Sequence, residues 1–379
     1  MKRVLLSCSI GLFFLLLITS CAETEKKDTL TSNKDEISII AYYAGDSSAF
    51  KNYPTDQLTH IIYSFLFLKD NQLVLDKPAD SLTLVALVKL KEKNPSLKIM
   101  LSIGGWGGCE TCSEVFATTK GREEFSQSVK ELLIKTHTDG IDLDWEYPAM
   151  EGFPGHRFAP KDKHNFTLLV QTLRKTVGDH YEISFAAGGL TEYLEKSIEW
   201  EAVMPLVNRV NLMSYDLING NSTVTGHHTP LYSTPQQEES TDHAVRFLDS
   251  IKVPLNKIII GAAFYARIFN AVDSTNHGLY QSGKFKTTAN FADFKDSLQE
   301  FNVYWDSIAK APYAYHPTKK EFATFDNKES IALKVNYVKE KKLGGIMFWQ
   351  LAGDKTQAGL LETIYRINNP ATIDINAQR

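Results

Sequence analysis

Apolar residues from position 37 onward follow two alternating patterns. Short runs that are almost entirely apolar predict strands buried on both faces, as in a parallel sheet. These runs are Ser38–Tyr43, Ile61–Leu68, Lys98–Ile103, Gly140–Trp145, Glu182–Ala187, Arg209–Tyr215, Lys257–Phe264 and Gly345–Trp349. Segments with helical spacing lie between them, at Ser81–Lys93, Glu123–His137, Lys163–Val177, Thr241–Ser250, Lys328–Lys341 and Asp354–Tyr365. Strands alternating with helices in this way predict an α/β fold, the (β/α)8 TIM barrel.

One interval breaks this alternation. About sixty residues rich in Phe, Tyr, Lys and Asp separate the seventh predicted strand from the helix at Lys328. Structureless loops of that length are uncommon in a compact domain. We therefore predict a small α+β insertion over about residues 268–327, between strand 7 and strand 8. The barrel as a whole is predicted over residues 37–367, followed by a C-terminal tail over 368–379.

The N-terminus has the pattern of a targeting segment. Lys2 and Arg3 precede an apolar run from Val4 to Ile18, which is short for a membrane span and predicts a signal peptide over residues 1–20. Ile18 to Cys21 resembles a bacterial lipobox, which implies lipidation of Cys21; a plain signal peptide is the alternative. Residues 21–36 are polar and predict a flexible tether. We expect an exported protein, lipid-anchored to a bacterial membrane on its periplasmic or outer side, and otherwise secreted.

Composition and charge exclude several classes of function. The chain has 379 residues, 43% of them hydrophobic, and a net charge of −4. Because no clustered basic face is evident, we expect no nucleic-acid partner. We also expect the protein to be a monomer. Cys109 and Cys112 predict a small loop disulfide in an exported chain. No second Cys or His pair at metal spacing accompanies them, so neither a metal site nor a cofactor is predicted.

The segment from Asp139 to Pro148 contains the most informative chemistry. Its three acids alternate with apolar residues, at Asp142, Asp144 and Glu146. Residues i and i+2 share one face of a strand, here the poorly solvated barrel interior, where neighbouring carboxyls raise at least one pKa. Such a group keeps its proton near neutral pH. Glu146 comes last, at the rim where barrel active sites lie, and is the predicted catalytic acid. A solvated edge strand or a cation site is the alternative; the apolar opposite face and the lack of further oxygen ligands argue against both.

This segment carries the DGxDxDxE signature of glycoside hydrolase family 18, the chitinase family, which the chain resembles from Ile39 to about Tyr365. Four further segments resemble motifs of that family in the family's order, namely Ser102–Trp106, Met213–Asp216, Tyr265–Arg267 and Gly345–Trp349. The chain departs from many relatives at Ala41, where they have glycine. The loop from Gly226 to Tyr232 also resembles the family, and we expect its histidines to be surface or structural residues. The lipobox makes the resemblance one to a bacterial chitinase in lipoprotein form.

The resemblance implies a retaining, substrate-assisted mechanism in which the 2-acetamido carbonyl oxygen attacks the anomeric carbon. Glu146 would protonate the leaving oxygen and then activate water. Asp144 would accept a hydrogen bond from the acetamido N–H, and Asp142 would hold or share a proton with Asp144. Tyr215 would donate a hydrogen bond to the acetamido carbonyl.

The resemblance also implies a set of substrate-binding positions. Trp349 would form a hydrophobic floor under the sugar, and Tyr42 and Ser102 would support the inner aspartate. The other matching positions are Gly105, Trp106, Tyr147, Met213, Asp216 and Arg267. Each has a simpler interpretation as a core residue, a local hydrogen bond or an ordinary ion pair, and only their placement at successive strand ends favours substrate contact.

We therefore expect an endo-acting chitinase that hydrolyses β-1,4 linkages between N-acetylglucosamine residues with retention, and whose partners are chitin or its oligosaccharides. The alternatives are an endo-β-N-acetylglucosaminidase acting on N-glycans and a lectin-like protein that only binds chitin. The insertion favours chitinase, because the related module walls one side of a deep groove in chitin-cleaving members. The presence of Glu146, Asp144 and Tyr215 disfavours the lectin.

Overall fold

The structure is a computed structural model and describes residues 37–75 and 77–370. The strands are β1 (Ser38–Tyr43), β2 (His60–Lys69), β3 (Gln72–Val74), β4 (Lys98–Gly104), β5 (Gly140–Asp144), β6 (Glu182–Gly188), β7 (Arg209–Met213), β8 (Ile258–Ala263), β9 (Tyr265–Asn270), β10 (Lys284–Asn290), β11 (Asn302–Asp306), β12 (Ala311–His316), β13 (Glu321–Thr324) and β14 (Gly345–Trp349). The α-helices are α1 (Pro78–Val88), α2 (Cys112–Phe116), α3 (Thr119–Thr136), α4 (Asp162–Val177), α5 (Thr191–Lys196), α6 (Trp200–Val203), α7 (Thr241–Ser250), α8 (Phe294–Ser297), α9 (Lys328–Lys341) and α10 (Leu360–Asn368).

Eight of the strands form a closed parallel barrel, and this confirms the predicted (β/α)8 fold. Their order is β1-β14-β8-β7-β6-β5-β4-β2, and parallel pairing of β1 with β2 closes the ring. The eight predicted runs are the eight barrel strands, with ends that differ by at most two residues. β3, which was not predicted, turns back along β2 in antiparallel pairing.

The two-residue period of each strand separates an outer core from a smaller inner one. Ile141 and Leu143 of β5, and Trp145 directly after it, belong to the large cluster between the strands and the surrounding helices. The barrel interior holds a separate apolar cluster around Ile40, Ile62, Met100, Ile259 and Met347. Asp142 and Asp144 therefore face inward, which is the arrangement that their alternation predicted.

The insertion is a five-stranded antiparallel sheet in the order β10-β9-β13-β12-β11. It contains one short α-helix, α8, and two 3-10 helices, Thr275–Gly278 and Phe291–Asp293, so it is richer in strand than the predicted α+β module. It begins at Tyr265 rather than near residue 268, because only Phe264 separates β8 from β9. The apolar run continues through this junction, and no turn residue marked the boundary.

The last helix differs most from its prediction. It runs from Leu360 to Asn368 rather than from Asp354 to Tyr365. The Asp354 carboxylate accepts backbone N–H groups of Lys355, Leu360 and Leu361 at 2.8–2.9 Å. Asp354 thus caps the helix from outside, since an acceptor there satisfies N–H groups that have no partner within the helix.

Several predictions fall outside the described residues, namely the signal peptide, the tether, Cys21 and positions 371–379 of the predicted tail. In residues 37–75 and 77–370, no helix is both long enough and apolar enough to cross a membrane.

Candidate active site

The three acids lie at the carboxyl end of β5. Asp142 is fully buried and Asp144 is 4% exposed, while Glu146 lies two residues beyond the strand and is half-buried. The strand ends at Asp144 rather than at Trp145 as predicted. At its end the Gly105 N–H donates to the Asp144 carbonyl oxygen at 2.8 Å. A Cβ on Gly104 would lie 2.0 Å from the same oxygen, and the φ of Gly104 is +100°, so this approach of β4 to β5 requires glycine.

Asp142 is held by donors from four other strands of the barrel. Its Oδ2 accepts the hydroxyls of Tyr42 at 3.0 Å and Ser102 at 3.1 Å. Its Oδ1 accepts the Ser184 hydroxyl at 2.6 Å and the Asn211 amide at 3.0 Å. Burial raises the pKa of Asp142, although all four donors favour the ionised form. Asp142 is therefore a fixed, saturated acceptor deep in the barrel.

Asp144 and Glu146 are placed very differently. Among the described residues, the buried Oδ1 of Asp144 has no hydrogen-bond partner. Burial, and after it the charges of Glu146 and Asp142, raise the pKa of Asp144 well above its ordinary value. Burial also raises the pKa of Glu146 to about 7; the Tyr147 hydroxyl opposes this shift and the Asp216 carboxylate adds to it. These two groups can hold a proton that an exposed carboxylate would lose.

Tyr215 enters the barrel mouth from the segment after β7. Its ring belongs to the inner cluster, beside the half-buried Met213, and it meets Tyr265 edge-on with centroids 6.2 Å apart. Its hydroxyl donates to the Met347 sulfur at 3.8 Å. Because thioether sulfur is a weak acceptor, this hydroxyl is free to exchange it for a better one.

Asp216 and Arg267 form an ion pair at the edge of this group. The Arg267 guanidinium donates two hydrogen bonds to the Asp216 carboxylate, each at 2.5 Å, and the His228 ring nitrogen Nδ1 lies 3.4 Å from Oδ1. Burial alone would raise the pKa of Asp216, but the bonds from His228 and Arg267 outweigh it and hold the pKa well below its ordinary value. Asp216 is thus an anion close enough to Glu146 to influence its proton.

Aromatic rings border the acids on two sides. Trp349 stacks on Phe65, with centroids 5.6 Å apart and an angle of 15°, and leans on Tyr42 at 6.0 Å. Trp106 is 54% exposed and lies 6.5 Å from the Tyr147 ring. A large apolar ring left in water next to buried acids is a surface on which a flat ligand can stack.

The predicted site residues therefore lie around one barrel mouth, on the ends of β1, β4, β5, β7, β9 and β14. Sequence reasoning missed four contributors, namely Phe65, Ser184, Asn211 and His228. Asn211 had a usable signal, since it precedes Met213 and Tyr215 by steps of two and so shares their inward face. The Phe65 ring is the reason why position 105 requires glycine, because a Cβ on Gly105 would lie 2.3 Å from that ring.

Residues 38–354 match the sequence model described as Glycosyl hydrolases family 18. The chain belongs to this family.

The relatives that this chain resembles in sequence include a chitinase and an oviduct-specific glycoprotein. The chain is 34% identical to Chitinase A1 of Niallia circulans over 72% of its length and 42% of that protein. It is 30% identical to the oviduct-specific glycoprotein of Mus musculus over 78% of its length and 43% of that protein. The chain thus spans less than half the length of these two relatives.

A solved family 18 structure matches over almost its entire length. It is that of an N-acetylglucosaminidase from Paenibacillus barengoltzii, with a TM-score of 0.79 and 33% identity. The match covers 87% of this chain and 99% of that one. The barrel and its insertion are therefore shared with that protein.

Three remaining predictions concern groups beside the site. A disulfide joins Cys109 to Cys112, whose Cα atoms are 5.3 Å apart.

Of the two interpretations of the loop histidines, the surface one is wrong, because His227 and His228 are fully buried. The reason is that the loop lies between the barrel and the insertion, where the His227 Nε2 meets Asp306 at 3.0 Å. Within residues 37–75 and 77–370, no cluster of three His, Cys, Asp or Glu side chains could hold a metal ion.

Proposed function

We propose that this protein hydrolyses β-1,4 linkages between N-acetylglucosamine units of chitin oligosaccharides, with retention of configuration. The observation that carries the proposal is the buried Asp144 Oδ1, which has no partner among the described residues and lies in the same mouth as Glu146, whose pKa is raised to about 7. An unpaired buried acceptor is costly unless a ligand satisfies it. The acetamido N–H of an N-acetylated sugar is a donor of the required kind.

In the proposed first step the sugar supplies its own nucleophile. The acetamido carbonyl oxygen bonds to the anomeric carbon as the glycosidic C–O bond breaks, and the leaving oxygen takes the proton of Glu146. Asp144 orients the acetamido N–H and stabilises the positive charge of the oxazolinium ion. Tyr215 leaves the weak Met347 acceptor and donates to the acetamido oxygen.

In the second step the Glu146 carboxylate takes a proton from water. The water oxygen bonds to the anomeric carbon, and the bond from that carbon to the acetamido oxygen breaks, which restores the acetamido group. Two inversions give overall retention. Asp142, already saturated by four donors, acts through its charge on Asp144.

Chitin is favoured as substrate by the stacking surfaces at the barrel mouth. Trp349 and Trp106 offer two aromatic faces at the mouth, as a chain of flat sugars requires. The similarity to a protein named Chitinase A1 also supports chitin as the substrate. Release of single N-acetylglucosamine units is a second candidate activity, because the solved structure that matches almost end to end is called an N-acetylglucosaminidase. Cutting within the chain is the activity that we propose.

Product analysis by mass spectrometry tests the proposal. Purified protein is given chitohexaose and, separately, a high-mannose glycoprotein. Short oligomers from chitohexaose alone support the chitinase, and monomers alone support the second candidate. Glycan release with chitohexaose intact would contradict the proposal and favour an endo-β-N-acetylglucosaminidase. Binding without cleavage of either would favour a lectin-like protein.

We also propose that the protein is exported and anchored through a lipid on Cys21, since an apolar segment ending in a lipobox precedes the barrel. We further propose that the protein acts as a monomer. Intact-mass analysis of membrane-extracted protein should show a diacylglycerol-modified mature chain beginning at Cys21. A soluble mature chain of unmodified mass, or a C21A variant that remains in the membrane, would contradict the anchor.

A further inference from the structure

His228 has a position that the proposed mechanism does not use. It lies in the loop between β7 and α7 and is fully buried, and its Nδ1 is 3.4 Å from Oδ1 of Asp216. Its Nε2 is buried without a partner among the described residues. A buried imidazole with one bonded and one unbonded nitrogen has a defined preference for where its single proton sits.

The backbone fixes this ring in place from two directions. The His228 N–H donates to the Thr324 hydroxyl of β13 at 3.0 Å, and its carbonyl accepts the Leu217 N–H at 3.1 Å. The ring packs on Tyr265 of β9, with centroids 5.2 Å apart. The loop is therefore tied both to the insertion and to the turn that carries Asp216.

Asp216 needs such support because of its own conformation. Its φ is +57°, in the left-handed region that side-chain-bearing residues seldom adopt. Arg267 binds the carboxylate on one side through two hydrogen bonds, and His228 reaches Oδ1 as well. The carboxylate held in this way adds to the high pKa of Glu146.

We propose that His228 is a positioning residue that acts through Asp216: as the neutral tautomer with its proton on Nδ1, it donates to Asp216 and, with Arg267, fixes the carboxylate that faces Glu146. The expected effect on catalysis rests on the proposed function of Glu146. The tautomer of His228 and its hydrogen bond to Asp216 do not depend on that function.

The charged and titratable groups around the ring favour this neutral form. Asp216 faces it from the turn after β7, Arg267 and Tyr265 face it from β9, and Asp326 lies beyond β13, paired with Lys334 of α9. Burial lowers the pKa of His228, with the Arg267 charge acting in the same direction, although Asp216 and Asp326 oppose it. A second proton on Nε2 would be a buried donor without an acceptor, which is a further cost.

Two substitutions separate the donor from the packing. In H228N the amide nitrogen can occupy the place of Nδ1 and keep the donor, whereas H228L fills a similar volume without one. We expect kcat/KM on chitohexaose to fall about tenfold in H228L, the effect of one lost hydrogen bond to a charged group, and to stay within about threefold in H228N. The basic limb of the pH profile should shift to higher pH in H228L only. Without the His228 donor, the negative charge of Asp216 is less neutralised and raises the pKa of Glu146 further.

Nitrogen-15 NMR of histidine-labelled protein tests the tautomer without relying on activity. Comparison with H228N assigns the His228 signals, and they should report an Nδ1–H imidazole that is still neutral where the pH equals the ordinary histidine pKa of 6.5. An Nε2–H tautomer, or a ring that is already charged above pH 6.5, would overturn the inference. So would an H228L variant with wild-type kcat/KM and pH profile, or an H228N variant as impaired as H228L. Absence of activity in the wild type would instead contradict the proposed function and leave the NMR result to decide this inference.

Discussion

Two groups of buried or half-buried acids in this molecule differ in one respect of their surroundings. At the junction of the barrel and the insertion, Asp326 meets the Lys334 ammonium at 2.6 Å, and both side chains are fully buried. Asp326 also accepts the Ser330 hydroxyl at 2.6 Å and the Ala263 N–H at 3.0 Å. At the barrel mouth, Asp144 and Glu146 have only other acids and neutral groups as the main influences on their pKa values.

The difference indicates what each region is for. A buried carboxylate with a cation and satisfied hydrogen bonds is a structural element, and removing its partner destabilises the fold. Buried carboxyls without a cation gain protons instead, which makes them useful as acids near neutral pH. Asp142 shares one feature with each group. Four neutral donors satisfy its hydrogen bonds, as in the structural pair, but no cation neutralises its charge, as at the mouth.

The largest effect should come from changing the acid at the mouth. Glu146→Gln keeps the shape but cannot give up a proton, so hydrolysis of chitohexaose should fall by about 10³-fold or more. Calorimetric titration should still detect oligosaccharide binding. Glu151→Gln is the matched control, because it makes the same change at an exposed residue nearby and should leave the rate unaltered. If Glu146→Gln keeps more than a few per cent of the activity, Glu146 is not the acid.

The next largest effect should come from the junction. Lys334→Met leaves the buried Asp326 charge without its cation, and we expect the free energy of unfolding to fall by about 3–5 kcal/mol. Denaturant unfolding measures this change. Lys341→Met, an exposed change on the same helix, should cost less than about 0.5 kcal/mol. If Lys334→Met lowers the free energy of unfolding by less than about 1 kcal/mol, the buried ion pair is not the structural element that distinguishes this junction from the mouth.

A smaller effect should follow from removing the aromatic floor of the mouth. In the Glu146→Gln background, Trp349→Ala should weaken chitohexaose binding by about 1–3 kcal/mol, the range for one buried aromatic contact. Trp305→Ala is the control, since Trp305 lies on β11 at the edge of the inserted sheet that is opposite β10. Equal affinities for the two variants in titration calorimetry would show that the Trp349 ring does not contact the sugar.

The smallest effect should come from one of the four Asp142 donors. Ser184→Ala removes the hydroxyl at 2.6 Å while three donors remain, so we expect kcat to fall about fivefold, equivalent to about 1 kcal/mol. Ser126→Ala is the matched control, because this buried hydroxyl has no partner among the described residues and lies on α3. A fall of a hundredfold or more would mean that Asp142 does more than act through its charge.

Much of this arrangement could be predicted from local patterns alone. The barrel strands are apolar runs, and the alternation of acids on β5 set which side chains face inward, because both features depend on neighbours two residues apart. Asp354 shows where such patterns fail: it resembles a first-turn residue, but its carboxylate reaches N–H groups six and seven positions later. Nothing in the spacing distinguishes these two roles.

The donors around Asp142 illustrate a second limit. Ser184 and Asn211 lie on different strands from Asp142, and small polar residues are common in any strand, so only the closed barrel shows that they meet one carboxylate. His228 could not be placed for a related reason. Its burial results from the insertion packing on the loop, and that contact joins segments about a hundred residues apart.

The proton affinity of Glu146 is the most direct test of the proposed mechanism. Carbon-13 NMR of protein labelled at the glutamate carboxyls, with the Glu146→Gln variant to assign the signal, follows this group through a pH titration. We expect a pKa of about 7, so that Glu146 is protonated below neutrality and the rate of hydrolysis falls as the pH rises through that value. Titration near the ordinary value of 4.5 would contradict it, because an acid already ionised at neutral pH cannot protonate the leaving oxygen.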